Sequence, residues 1–213
     1  MTTDALSVLT AFAQAARTAH PALTTLDQLS GDGDFGDNLR EGLGLVAAAL
    51  ADRPAEPPFA VAAAVFLDEV GGTSGPLLGL LFQELARAHA AHPDDGQEAW
   101  RTGVREGLAA IQRVGEAEPG DRTLVDTLAP ARDALEADAG PREVADAALA
   151  GARATAGLRA RRGRASYVGE RAIGSPDPGA LGIALLFWCR ARVAGDAPGE
   201  LADHLPDTDA LRR

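Results

Sequence analysis

The 213-residue chain has a single cysteine, Cys189, so no disulfide can form within it. That residue ends the apolar run LGIALLFWC and reads as a small buried hydrophobe, with a reactive nucleophile as the alternative. Positive charge is scarce: 20 basic side chains face 31 acidic ones, for a formal net charge of −11. This excludes a non-specific duplex binder, whose affinity depends on Lys and Arg neutralising phosphates. It does not exclude a nucleotide, because Mg²⁺ bridges carboxylates to phosphates. No uncharged apolar run reaches about 18 residues, and the N-terminus MTTDALSVLTAF lacks the basic leader and long apolar core of a secretory signal. No membrane span and a cytoplasmic location are therefore expected. The four histidines (His20, His89, His92, His204) form no zinc motif, and there is neither a GK[ST] Walker ending nor a G-x-S-x-G elbow.

Hydrophobic residues make up 46% of the chain, enough for one substantial core. Their spacing is helical nearly throughout, over residues 4–20, 38–50, 57–69, 74–90, 96–113, 121–135, 142–161 and 178–194. Most segments carry Pro or Gly at their edges, where a missing donor or an unusual φ is tolerated. Strand-like alternation is almost absent and no repeat of fixed period occurs. The pattern predicts a single all-α domain, followed by a polar tail that forms a short terminal helix or a frayed end.

Three islands are denser in chemistry than helix packing needs. LDQLSGDGDFGDN at 26–38 sets Asp27, Asp32 and Asp34 among Gly31, Gly33 and Gly36. Gathered carboxylates repel unless a cation, water or hydrogen bonds offset them, and Mg²⁺ takes oxygen ligands that phosphates can complete. An EF-hand register begun at Asp32 fails, since Leu43 falls where the closing Glu belongs. An acidic loop capping the next helix explains the same letters, with Asp37 the residue best suited to be only a cap. GGTSGP at 71–76 offers the Thr73 and Ser74 hydroxyls at a helix N-terminus, which is either an anion site or a plain capping turn. GRASYVGERAIGSPDPGA at 163–180 combines Arg164, Glu170, Arg171 and Asp177, suited either to phosphate and base contacts or to a surface ion network around a rigid turn. PGDRTLVDTL at 119–128 reads as a structural turn before a helix, and Tyr167, the one tyrosine, as a packing residue.

Taken in order, LDQLSGDGDFGDN, GGTSGPLLGLLF, GEAEPGDRTLVDTLAP and GRASYVGERAIGSPDPGA resemble the nucleotide-binding L-type domain of dihydroxyacetone kinases, the DhaL or DAK2 family, over roughly residues 20–190. The resemblance implies an all-α, single-domain, eight-helix antiparallel barrel over 1–195, a polar C-terminal tail over 196–213, and a nucleotide at one end of the barrel. It assigns Asp27, Asp32 and Asp34 to two Mg²⁺ ions under the phosphates of ATP or ADP. Asn38, Gly72, Thr73 and Ser74 match phosphate-contacting positions, Gly115 and Leu124 positions near the adenine, and Arg164 and Asp177 the late nucleotide contacts.

The implied activity is Mg-dependent phosphoryl transfer to a short hydroxyketone or related polyol held by a separate K-type subunit. The donor is either ATP or retained ADP that an M-type phosphocarrier rephosphorylates. No side-chain base is assigned. Two departures stand out: Phe35 occupies the histidine position of the family loop, and Leu181–Gly182 follow DPGA where Ser or Thr is common. Phe35 is expected either to set specificity or simply to pack, and a nucleotide-binding regulatory paralogue without efficient transfer is the competing reading.

Overall fold

The computed structural model describes residues 5–211, so the starts of the first predicted helix and of the chain at 1–4, and the last two tail residues, lie outside it. The elements are α1 (Ala5–Ser30), α2 (Phe35–Asp52), α3 (Pro58–Asp68), α4 (Ser74–Ala91), α5 (Gly96–Gly115), α6 (Val125–Glu136), α7 (Pro141–Ala154), α8 (Pro178–Val193) and the short α9 (Thr208–Leu211). Four 3-10 turns fill the connections after α7 and after α8, and no strand occurs among the described residues. Each of α1 to α8 packs on its sequence neighbour, and α8 packs back on α1, closing an up-and-down barrel. Short loops between long helices leave antiparallel neighbours as the simplest solution. Among the described residues no helix is long and apolar enough to cross a membrane.

All eight predicted segments are helices, with three informative differences in length. The first continues through Pro21 to Ser30. Proline removes one i→i−4 bond, but Phe12, Ala16 and Ala19 before it and Leu23 and Leu26 after it are all buried, so packing holds both halves in one helix. The sixth begins at Val125 rather than 121, because the Asp126 carboxylate accepts the Gly120 and Thr123 amides and folds 120–124 into a turn. The seventh stops at Ala154 rather than 161: buried Thr155 donates its hydroxyl to Ala152 O and accepts the Asp177 amide, tying the end of α7 to the start of α8.

Helix α8 is apolar all round and buried on nearly every side, as expected of a helix inside a bundle. Cys189 lies within it, fully buried, and burial raises its thiol pKa, which agrees with the inert reading. The tail folds back: Trp188 Nε1 donates to Gly199 O, Arg153 donates to His204 Nδ1, and Leu201, Leu205 and Leu211 pack on the core. Among the described residues the tail carries one short helix, α9.

Candidate functional site

Because the chain runs up and down, α2, α4, α6 and α8 all begin at one end of the barrel, where α1 and α5 finish. Their termini and the segment after α7 enclose a cleft of about 960 Å³, part of it open to solvent. Four helix N-termini facing one space make it favourable for negative charge. All twelve residues singled out from the sequence line it: Asp27 from α1; Asp32, Asp34, Phe35 and Asn38 around the start of α2; Gly72, Thr73 and Ser74 at the start of α4; Gly115 at the end of α5; Leu124 before α6; Arg164; and Asp177 before α8.

The acidic loop divides its carboxylates between tasks. Asp27 Oδ2 accepts the Phe35 amide at 3.0 Å, so the open end of α2 is capped from the neighbouring helix. Asp34 occupies the N-cap position but makes no capping bond with its side chain. Asp37 is not the cap that the sequence suggested. It lies in the first turn of α2 and accepts from Arg40 at 2.6 Å and from His20 Nε2 at 2.9 Å. Asp32 is in direct ion-pair contact with Arg164, whose guanidinium also lies 4.0 Å from Asp34. Among the described residues no three acidic, histidine or cysteine side chains are gathered closely enough to hold one metal ion. The cation facing Asp32 and Asp34 is the arginine. Oxygen-only donors at the mouth of an open cleft are the chemistry Mg²⁺ takes, and the positive group already standing there marks the position as one that needs a cation. Asp27, Asp32 and Asp34 supply donors of that kind along the cleft.

Opposite this loop, Thr73 precedes α4 without a side-chain capping bond, leaving its hydroxyl uncommitted to the helix end. Gly72 takes a left-handed φ of 75° beside the Asn38 amide, so the two loops meet there. Leu77, Ile111, Gly115, Ala117 and Leu124 give the cleft an apolar stretch of wall. One cleft therefore offers a charged, donor-rich mouth and a greasy pocket, the two chemistries of a polyphosphate joined to an aromatic base.

Phe35 is 8% exposed, and its ring lies against α8. A Cβ added at Gly182 would come within 2.7 Å of the ring tip. Phe35 and Gly182 therefore form one contact, in which the phenyl ring fits because 182 has no side chain.

Sequence reasoning passed over Arg122, read as part of a structural turn. It adopts a left-handed φ of 62° and is almost fully buried at the cleft wall. Its Nη2 donates to Ala172 O and Ser175 O, tethering the returning end of the 158–177 segment. Its Nη1 lies 3.8 Å from Asp177, while Nε and Nη1 have no hydrogen-bond partner. The GDRT letters signal a turn, but nothing in them announces an arginine in a glycine-like conformation. Asp177 itself caps α8 by accepting the Ala180 amide. Burial pushes its carboxyl up to about 6, against the pull of that amide and of Arg122. A raised carboxyl pKa adds stability below the unfolded value of about 4 that is lost as pH rises through 6. Asn keeps the cap. Wild type is therefore expected to gain melting temperature relative to Asp177→Asn as pH falls from 7 to 4; a pH-independent difference would show that Asp177 titrates normally.

Comparison with known proteins decides the family. The DAK2 domain profile matches residues 30–190. The chain belongs to the DAK2 family. Among its DAK2 relatives is the PEP-dependent dihydroxyacetone kinase 1, ADP-binding subunit DhaL, of Listeria innocua, 36% identical over 86% of this chain and 92% of that protein. The corresponding Escherichia coli subunit is 34% identical over 81% of this chain and 87% of its own length. The L-erythrulose 1-kinase of Mycolicibacterium smegmatis is 35% identical over 85% of this chain, which spans about a third (34%) of that longer enzyme. The DAK2 barrel is also seen in the crystal structure of the dihydroxyacetone kinase from C. freundii in complex with AMP-PNP and Mg²⁺, with a TM-score of 0.68 and 26% identity over 90% of this chain and 33% of that one.

Proposed function

We propose that this DAK2 chain binds an adenine nucleotide with two Mg²⁺ ions and serves as the nucleotide subunit of a kinase acting on a short hydroxyketone or related polyol. The observation that carries this reading is the convergence of the acidic loop, the Thr73–Ser74 turn and the apolar pocket at one end of the barrel. Relatives that bear the names of ADP-binding subunits or of dihydroxyacetone and erythrulose kinases support it. Asp27, Asp32 and Asp34 would hold the metal, which when bound supplies neutralisation of phosphate charge and of the charge that develops on the transferred group. Asn38, Gly72, Thr73 and Ser74 orient the phosphates at the N-terminus of α4. Leu77, Ile111, Gly115 and Leu124 hold the base and exclude water. Arg164 offers the planar guanidinium that pairs with phosphate oxygens; all 20 basic side chains of the chain are arginine, so no lysine competes for that task.

The acceptor is carried by a K-type subunit, and the donor is either ATP or retained ADP recharged by an M-type phosphocarrier. A regulatory role without efficient transfer is the second reading, favoured by Phe35, whose ring neither donates to a phosphate nor exchanges a proton. Reconstitution with a K-type subunit, supplied in turn with ATP and with a phosphocarrier and screened on short hydroxyketones and polyols, separates these. Phosphorylated product from one donor establishes transfer. Mg-dependent ADP binding without product under either condition favours the regulator, and absence of nucleotide binding overturns both.

A further inference from the structure

We propose that Arg164 is the resident counter-cation of the acidic loop in the metal-free protein, and that a divalent cation and Arg164 hold Asp32 and Asp34 in mutual exclusion. Loading the metal would then expel Arg164 and free it for the phosphates. The inference rests on the metal-and-nucleotide reading of the cleft and adds an internal competitor to it.

Three observations lead there. Asp32 and Asp34 meet one basic group among the described residues, Arg164; the neighbouring cations are committed elsewhere, Arg162 to Glu116 and Asp121, Arg40 to Asp37 and Glu41, and Arg122 to carbonyls in the wall. A carboxylate oxygen engaged by Arg164 is not free to ligate a metal, so the guanidinium and a cation would compete for Asp32 and, beside it, Asp34. The segment that carries Arg164 is built to move. It is pinned at its base, where Arg161 N donates to Asp121 O and Gly174 N donates to Ala156 O. Between those pins its backbone bonds are local turns (Ser166 to Gly163, Val168 to Ala165, Arg171 to Val168, Ile173 to Glu170). Gly163, immediately before Arg164, has a left-handed φ of 64° and open space around it, a natural pivot. Few long-range bonds and exposed turns are the marks of a segment with a low opening free energy.

The same arginine would therefore oppose the metal before nucleotide binds and assist the complex afterwards. Titration calorimetry with Mn²⁺ as the probe, on wild type, Arg164→Ala and the exposed same-segment control Arg171→Ala, reads the first half. Without nucleotide, R164A is expected to bind Mn²⁺ about three- to fivefold tighter than wild type, the scale set by losing one partly exposed ion pair, while R171A stays within about 1.5-fold, below the effect of such a pair. With ADP present the order reverses, R164A binding the Mn–ADP complex about tenfold more weakly, as for loss of a charge-assisted phosphate contact. Hydrogen exchange supplies an independent measure: Mn²⁺ alone should speed exchange across 162–171 in wild type and leave R164A unchanged. Equal Mn²⁺ affinity in wild type and R164A, or equal tightening by R171A, overturns the exclusion while leaving the metal site standing. Absence of Mn²⁺ binding in all three proteins, with and without ADP, overturns the metal reading itself.

Discussion

Asp32→Ala and Asp34→Ala are each expected to weaken Mg-dependent ADP binding by about a hundredfold or more, roughly 2.7 kcal/mol, with helical content unchanged. Both carboxylates stand at the mouth of the cleft, 40% and 66% exposed, and neither packs in the core. Their removal takes away oxygen ligands for a cation that in turn holds phosphate, and it touches no helix contact. Asp27 behaves differently, because it also caps α2 through the Phe35 amide. Asp27→Ala should lose nucleotide affinity to a similar extent and, in addition, about 1 kcal/mol of fold stability. Calorimetry with ADP and Mg²⁺, beside circular dichroism and thermal melts, measures both quantities in all three variants. Wild-type affinity in D32A and D34A would end the metal assignment. A collapse of helicity in those two would return the loop to a purely structural role.

What made the site legible was its grouping in short islands. The carboxylates of 26–38 and the hydroxyls of 71–76 are local in sequence, and local spacing survives folding because each island stands at the start of one helix. The eight helices were legible for a related reason: apolar periodicity and Pro or Gly at the edges are both properties of the segment alone. The misses are non-local or conformational. Pro21 argues for a break by its own chemistry, and only the burial of Leu23 and Leu26 beyond it shows that packing prevails. Arg122 looks like any turn arginine until its left-handed backbone and its two carbonyl acceptors from 172 and 175 are seen. Arg164 and Asp32 belong to islands far apart in the chain, so an ion pair between an expected phosphate ligand and an expected metal ligand has no trace in either motif.

Phe35 and Gly182 show the same limit, and they set the second large effect. Phe35→His is expected to cost about 1–3 kcal/mol of stability, since it removes buried apolar volume and sets a polar ring where the phenyl packs on Gly182. Gly182→Ser alone should cost a comparable amount, because its Cβ would press on the Phe35 ring at 2.7 Å. The double variant, with a smaller polar ring facing a hydroxyl, should recover much of the loss, giving a coupling of about 1 kcal/mol or more in the double-mutant cycle. Residues in contact couple in this way, and independent positions add within about 0.5 kcal/mol. Denaturant melts of the four proteins measure the cycle. ADP affinity is expected to stay within about tenfold, or 1.4 kcal/mol, of wild type in each, because the ring faces α8 while its backbone amide still reaches Asp27. Turnover in a complex reconstituted with a K-type subunit then decides what the substitution means. Unchanged kcat and kcat/KM across a substrate panel in F35H would make Phe35 a packing residue matched to Gly182. A changed substrate preference at equal nucleotide affinity would make it a specificity feature. Transfer that appears only in F35H or F35H/G182S, from an inactive wild type, would mark the wild-type chain as the regulator. Additive stability losses would show that residues 35 and 182 are not a coupled packing pair.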